Sequence, residues 1–93
     1  IAWSMGMTYA LKAAEELGAN SVPDARLYVQ LAKDQTLNAR WLAKDGDELA
    51  TMVLARAQAD ADLALVMTKE QLARNQAIRA SADLKALENR GTP

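Results

Sequence analysis

The stretch DELATMVLARAQADADLALVMTKEQLARNQAIRASADLKALEN, Asp47 to Asn89, decides the fold, because neither proline nor glycine interrupts it. It predicts a single helix of roughly 43 residues, about 64 Å long at 1.5 Å per residue. Steps of three and four residues pick out one continuous seam along it: Leu49, Met52, Arg56, Ala59, Leu63, Val66, Glu70, Ala73, Ala77, Ala80, Leu84 and Leu87. A seven-residue repeat held that far is the period of a left-handed supercoil, so the helix is expected to be coiled-coil-like. Glu70 with Arg74 and Arg79 with Asp83 stand at i, i+4 spacing, each pair worth a few tenths of a kcal/mol.

Before this run comes Asp45-Gly46-Asp47-Glu48. A calcium loop needs oxygen ligands at alternating positions over about twelve residues and a closing glutamate, and that pattern is missing. The segment instead fits a glycine that ends one helix and an aspartate that caps the next, with acids at the positive helix end. The second helix is expected over about residues 23–45, with Tyr28, Leu31, Gln35, Ala39 and Leu42 as its main seam and Asn38 beside it. Its start has two readings. Ser21 can cap it with Asp24 as the returning acid, or Val22 can be the cap with Pro23 as the first helical residue. Proline disfavours the helical conformation at the residue before it, which favours Val22. The first helix, about residues 3–18, has Trp3, Met7, Ala10, Leu11, Ala14 and Leu17 on one face, and Gly18 supplies its stop.

The fold class is therefore all-α: three antiparallel helices in a single domain spanning 1–93, because short connections make neighbouring helices antiparallel. The lengths do not match. From the Gly46 turn, the third helix draws level with the Ser21 turn near Lys69, leaving residues 70–89 without an intrachain partner. An isolated helix of that length is marginal in water, so the overhang is expected to pack on another copy or on another protein. Self-association as a homo-oligomer is the expectation, through Leu72, Ala73, Ala77, Ala80, Leu84 and Leu87. Arg56 and Glu70 on the seam either fix the register of that association or lie at its edge with their charged ends in water.

Composition agrees with thin helices in close contact. Twenty residues are alanine, with no phenylalanine, cysteine or histidine. Alanine is the strongest helix former, yet contributes little apolar area when buried. Eleven basic and twelve acidic residues are spread along the chain without blocks, which argues against a nucleic-acid partner. No apolar run approaches the roughly 18 residues that suggest a membrane span. Absence of cysteine excludes disulfides and thiol chemistry.

Catalysis needs a nucleophile, base or metal held in a pocket. Asp60 and Asp62 are close in sequence but point roughly 200° apart on a helix, so they cannot share a metal or a proton within it. No paired Glu-x-x-His motif of a di-iron bundle is present. The sequence implies no enzyme, cofactor or metal. A different class of function, a small ligand-binding or carrier domain, would use the few aromatics, with a pocket near Trp3, Tyr28 and Trp41. Packing volume is the plainer role for those rings.

Three strings carry a resemblance: Val22-Pro23-Asp24-Ala25-Arg26-Leu27-Tyr28-Val29-Gln30-Leu31-Ala32 behind Gly18-Ala19, then Asp45-Gly46-Asp47, then Leu54-Ala55-Arg56-Ala57-Gln58-Ala59-Asp60-Ala61-Asp62-Leu63-Ala64. Over roughly residues 7–85 the chain resembles a family of helical domains of unknown function found in bacterial periplasmic and outer-membrane lipoproteins, often ahead of an OmpA-like peptidoglycan-binding domain. The resemblance implies an envelope location, periplasmic or on the periplasmic face of the outer membrane. It also implies a lipidated cysteine upstream of Ile1, so that the membrane is reached only through an anchor outside this chain. A spacing or assembly role would follow, with other envelope proteins as further partners. The OmpA-like module itself is not in this sequence, and the family supplies no catalytic residues.

Overall fold

The computed structural model describes the backbone of residues 2–91 and the side-chain surroundings of residues 8–91. Three α-helices follow in order: α1 (Ala2–Glu16), α2 (Pro23–Lys44) and α3 (Leu49–Arg90), with one turn of 3-10 helix at Ala19–Ser21 between the first two. Among the described residues there is no strand. The 3-10 turn stands where a plain turn is expected, held by Ser21 N–H donating to Gly18 O and Val22 N–H donating to Ala19 O.

Local chemistry sets the boundaries. Gly18 adopts φ 98° and Gly46 φ 72°. Both are left-handed values that cost a residue with a Cβ about 1–2 kcal/mol. Val22 is extended (φ −112°, ψ 105°) and precedes Pro23 at the first helical position, the second of the two starts open in the sequence. At the other turn the Asp47 carboxylate accepts the Leu49 N–H at 2.9 Å, so Asp47 satisfies an orphan donor of α3 although regular helix begins two residues later. A Cβ at Gly46 would meet nothing within 4 Å. Gly46→Ala is therefore expected to cost about 1 kcal/mol, from backbone strain alone, and a thermal melt by circular dichroism reads it.

The molecule is a rod. Its extents are 75 × 22 × 16 Å and its radius of gyration is 19.1 Å, where a compact chain of this length has about 12 Å. α3 packs chiefly on α2, and α1 rests mainly on α3. The core between them is made of the smallest side chains. Of the ten buried apolar residues described, nine are alanine and the tenth is Val29. Ala10, Ala32, Ala57 and Ala61 form one cluster. Ala14, Ala19, Ala25, Val29 and Ala64 form the next. Alanine faces let helix axes come to the near end of the usual 8–10 Å separation, so dispersion between backbones replaces interdigitating large side chains.

Two buried hydroxyls interrupt the alanine rows, and each is satisfied within its own helix. Thr36 Oγ1 donates to Ala32 O at 2.6 Å and Thr68 Oγ1 to Ala64 O at 2.7 Å. The Gln35 Oε1 is buried with no hydrogen-bond partner among the described residues. Lys33 Nζ pairs with Glu15 Oε1 at 2.9 Å, joining α2 to α1 at the surface. The pairs expected at Glu70–Arg74 and Arg79–Asp83 do not appear among the described ion pairs.

One expectation is corrected here. The seam read along α3 is not the face that packs on α1 and α2. The buried residues of α3 are Ala57, Ala61, Ala64 and Thr68, and Leu49, Met52, Leu63 and Val66 are exposed. At about 100° per residue the two rows lie roughly 140° apart on the helix. α2 shows a smaller shift: its buried row is Ala25, Val29, Ala32, Thr36 and Ala39, with Tyr28, Leu31, Gln35 and Leu42 half-buried along one flank.

Candidate interaction surface

α3 carries two apolar stripes on opposite sides. The inner one is alanine and is covered. The outer one holds the larger side chains, and Leu49, Met52, Leu63, Val66, Leu84 and Leu87 are each between 37% and 62% exposed. Opposed stripes explain why so long a helix shows little net amphipathicity although most of its apolar residues are patterned.

Beyond Leu72 every described residue of α3 is exposed. The overhang therefore starts three residues later than expected. Gln71 and Leu72 are half-buried and line a groove of about 490 Å³ with Leu17, Gly18, Val22, Pro23 and Thr68. Leu72 is thus covered in part by its own chain, unlike the other members of the set expected for self-association. The remaining members, Ala73, Ala77, Ala80, Leu84 and Leu87, share the outer stripe and are exposed.

The two faces of the overhang diverge in chemistry. The inner row continues from Thr68 as Gln71, Asn75, Arg79 and Asn89, with Ala82 and Ala86 between. Gln71 Nε2 donates to Asn75 Oδ1 at 3.0 Å along it. That face turns polar where intrachain cover ends. The outer row stays apolar to Leu87.

Arg56 and Glu70 sit in the outer stripe and are exposed. Its flanks carry Asp60 and Asp62 in the first half, and Lys69, Arg74, Asp83 and Glu88 in the second. Asp62 also accepts from Gln58 Nε2 at 2.9 Å.

The aromatic residues are not gathered. Tyr28 packs against the cluster of Ala14, Ala25 and Ala64. Trp41 is exposed, lines a shallow groove with Leu37, Arg40 and Lys44, and has the Lys44 ammonium 5.7 Å from its ring centre. Thirteen residues of helix separate Tyr28 from Trp41, about 20 Å along the axis. The side chain of Trp3 lies outside the described residues. Among the described residues no three carboxylates come together, and no helix is long and apolar enough to cross a membrane.

No family model, curated protein or solved structure matches this chain.

Proposed function

We propose that this chain is a non-catalytic scaffold or spacer domain that self-associates through the outer stripe of α3. The observation behind it is a row of large apolar side chains held in water along a helix whose opposite face is already packed. Leaving six such side chains exposed forgoes about 1 kcal/mol or more apiece, which a second helix laid along the stripe would recover.

The finer architecture belongs to the same reading: three antiparallel helices, with α2 and α3 wound as a coiled coil on alanine. In support, Ala25 and Val29 cluster with Ala64, Ala32 with Ala57 and Ala61, and Ala39 and Ala43 share a groove with Ala50 and Leu54. Positions rising along α2 thus meet positions falling along α3. Within each helix the alanines recur every seventh residue, Ala25, Ala32 and Ala39 against Ala50, Ala57 and Ala64.

The setting is a bacterial envelope lipoprotein, at the periplasmic face, anchored by lipid outside this chain. Its support is the likeness of the three strings around Val22-Pro23-Asp24, Asp45-Gly46-Asp47 and Leu54–Ala64 to that family. A rod 75 Å long fits a spacer, and near-balanced charge fits a protein partner better than nucleic acid.

Sedimentation equilibrium tests the association. The expected result at tens of micromolar is a mass near twice the 10.1 kDa of the chain. A clean monomer at high micromolar concentration would sink the proposal.

A further inference from the structure

Resting on that reading, we infer that the partner on the outer stripe is a second copy of α3 running antiparallel, in a register that sets Leu49 level with Leu87 of the second copy. Charge decides the direction. In a parallel, in-register pair the stripe would place Arg56 on Arg56 and Glu70 on Glu70. At the flanking positions Lys69 would meet Arg74 and Asp83 would meet Glu88. Each is a like-charge contact, and such contacts select against an arrangement.

Reversing one helix removes all four. With the two-fold axis level with Thr68, every residue of the stripe from Leu49 to Leu87 is covered, and no other register does this. Leu49 then meets Leu87, Met52 meets Leu84, and the bulk of Leu63 falls on Ala73, large against small along the middle. The charges become complementary. Arg56 lies over Ala80 and reaches Asp83 of the second copy. Glu70 reaches Lys69 across the axis and offsets the one like-charge contact this arrangement makes, Lys69 beside Lys69 of the second copy, and Asp60 stands beside Arg74. The two-fold makes each of these twice.

The area is adequate. Leu49 to Leu87 spans about 57 Å, and at roughly 10 Å of helix width the footprint is on the order of 600 Å² per copy, close to the about 800 Å² of a standard stable interface. The inner faces stay free for α1 and α2, so the assembly is two alanine-packed bodies flanking a central pair of long helices. Each overhang lies along the first half of the other copy's α3.

The chain has no cysteine, so a single nitroxide label can be placed through Lys85→Cys, an exposed position off both stripes. Pulsed dipolar spectroscopy on the labelled full chain is expected to give a distance of about 50 Å, the separation of two Lys85 positions across the axis at 1.5 Å per residue. A distance under about 25 Å means a parallel pair and overturns the inference, and a dimer giving any other value overturns the register. No dipolar signal together with a monomer in sedimentation defeats the underlying proposal of self-association instead. In the second arm, Arg56→Asp and Asp83→Arg each weaken the dimer about tenfold, and the double variant recovers most of the loss. Losses that simply accumulate in the double variant would also overturn the pairing.

Discussion

Ala61→Leu is expected to lower the melting temperature by about 15 °C, from a destabilisation of about 3 kcal/mol in a domain of this size. Ala61 has no exposed surface and belongs to the cluster with Ala10, Ala32 and Ala57 that joins all three helices. Three added carbons have no space on a face where backbones are held apart by methyl groups. The helices must separate, and separation loses the packing of every alanine in the same row. The control is two residues away. Ala59→Leu makes the same chemical change on the outer stripe, where the side chain is exposed, and is expected to shift stability by no more than about 0.5 kcal/mol. Melts at low concentration, followed at 222 nm, compare the two. Equal effects would mean that α3 buries a different face.

That contrast also shows which parts of the structure could be read in advance. The breaks were legible because they rest on local chemistry: Gly18 and Gly46 need positive φ, and Pro23 dictates the conformation of Val22. The overshoot of α3 followed from lengths alone, and the exposed run beyond Leu72 agrees with it. The choice of face on α3 was not legible by the same route. A search for a seam weights residues by bulk, and along α3 bulk leads to Leu49, Met52, Leu63 and Val66. The intrachain core instead uses Ala57, Ala61 and Ala64, where small size permits close approach. Alanine scores as apolar on either face, so periodicity alone cannot rank the two stripes. A sequence signal did exist. Ala25, Ala32 and Ala39 on one helix and Ala50, Ala57 and Ala64 on the other keep the same seven-residue spacing, and two matched alanine ladders joined by a tight turn point to each other.

The exposure of the overhang was legible, and the relation of its apolar row to the intrachain core was not. Ala73, Ala77, Ala80, Leu84 and Leu87 are the overhang's share of a stripe that runs the whole helix, rather than a tail continuing the intrachain seam. Leu72, a position the seam does not include, is half-buried beside the groove lined by Leu17, Val22 and Pro23. The proposed pairing gives Arg56 and Glu70 a role. Facing α2 they would be charges in a dry core, costing several kcal/mol each. On the outer stripe they reach water in the free chain and remain available to select the direction of a partner.

Leu84→Lys together with Leu87→Lys is expected to weaken self-association about 1,000-fold while leaving the melting temperature of the monomer within about 2 °C of the parent. Both leucines are more than half exposed and lie beyond the last residue that α1 or α2 covers, so the intrachain fold has nothing to lose. Covering each one recovers about 1 kcal/mol, and a symmetric pair contains four, which gives the size of the effect. Ile78→Lys serves as the comparison. Ile78 is 68% exposed on the same segment but lies on the flank away from the outer stripe, so its replacement should leave association unchanged. A double variant that still sediments as the parent does, or an Ile78 variant that dissociates as strongly, would show that the stripe is not the contact. The same logic extends to the other end of the helix. Leu49 and Met52 face Leu87 and Leu84 in the antiparallel pair, so Leu49→Glu with Met52→Glu should restore association when mixed with the lysine variant, through attraction between ends that lie far apart within one chain.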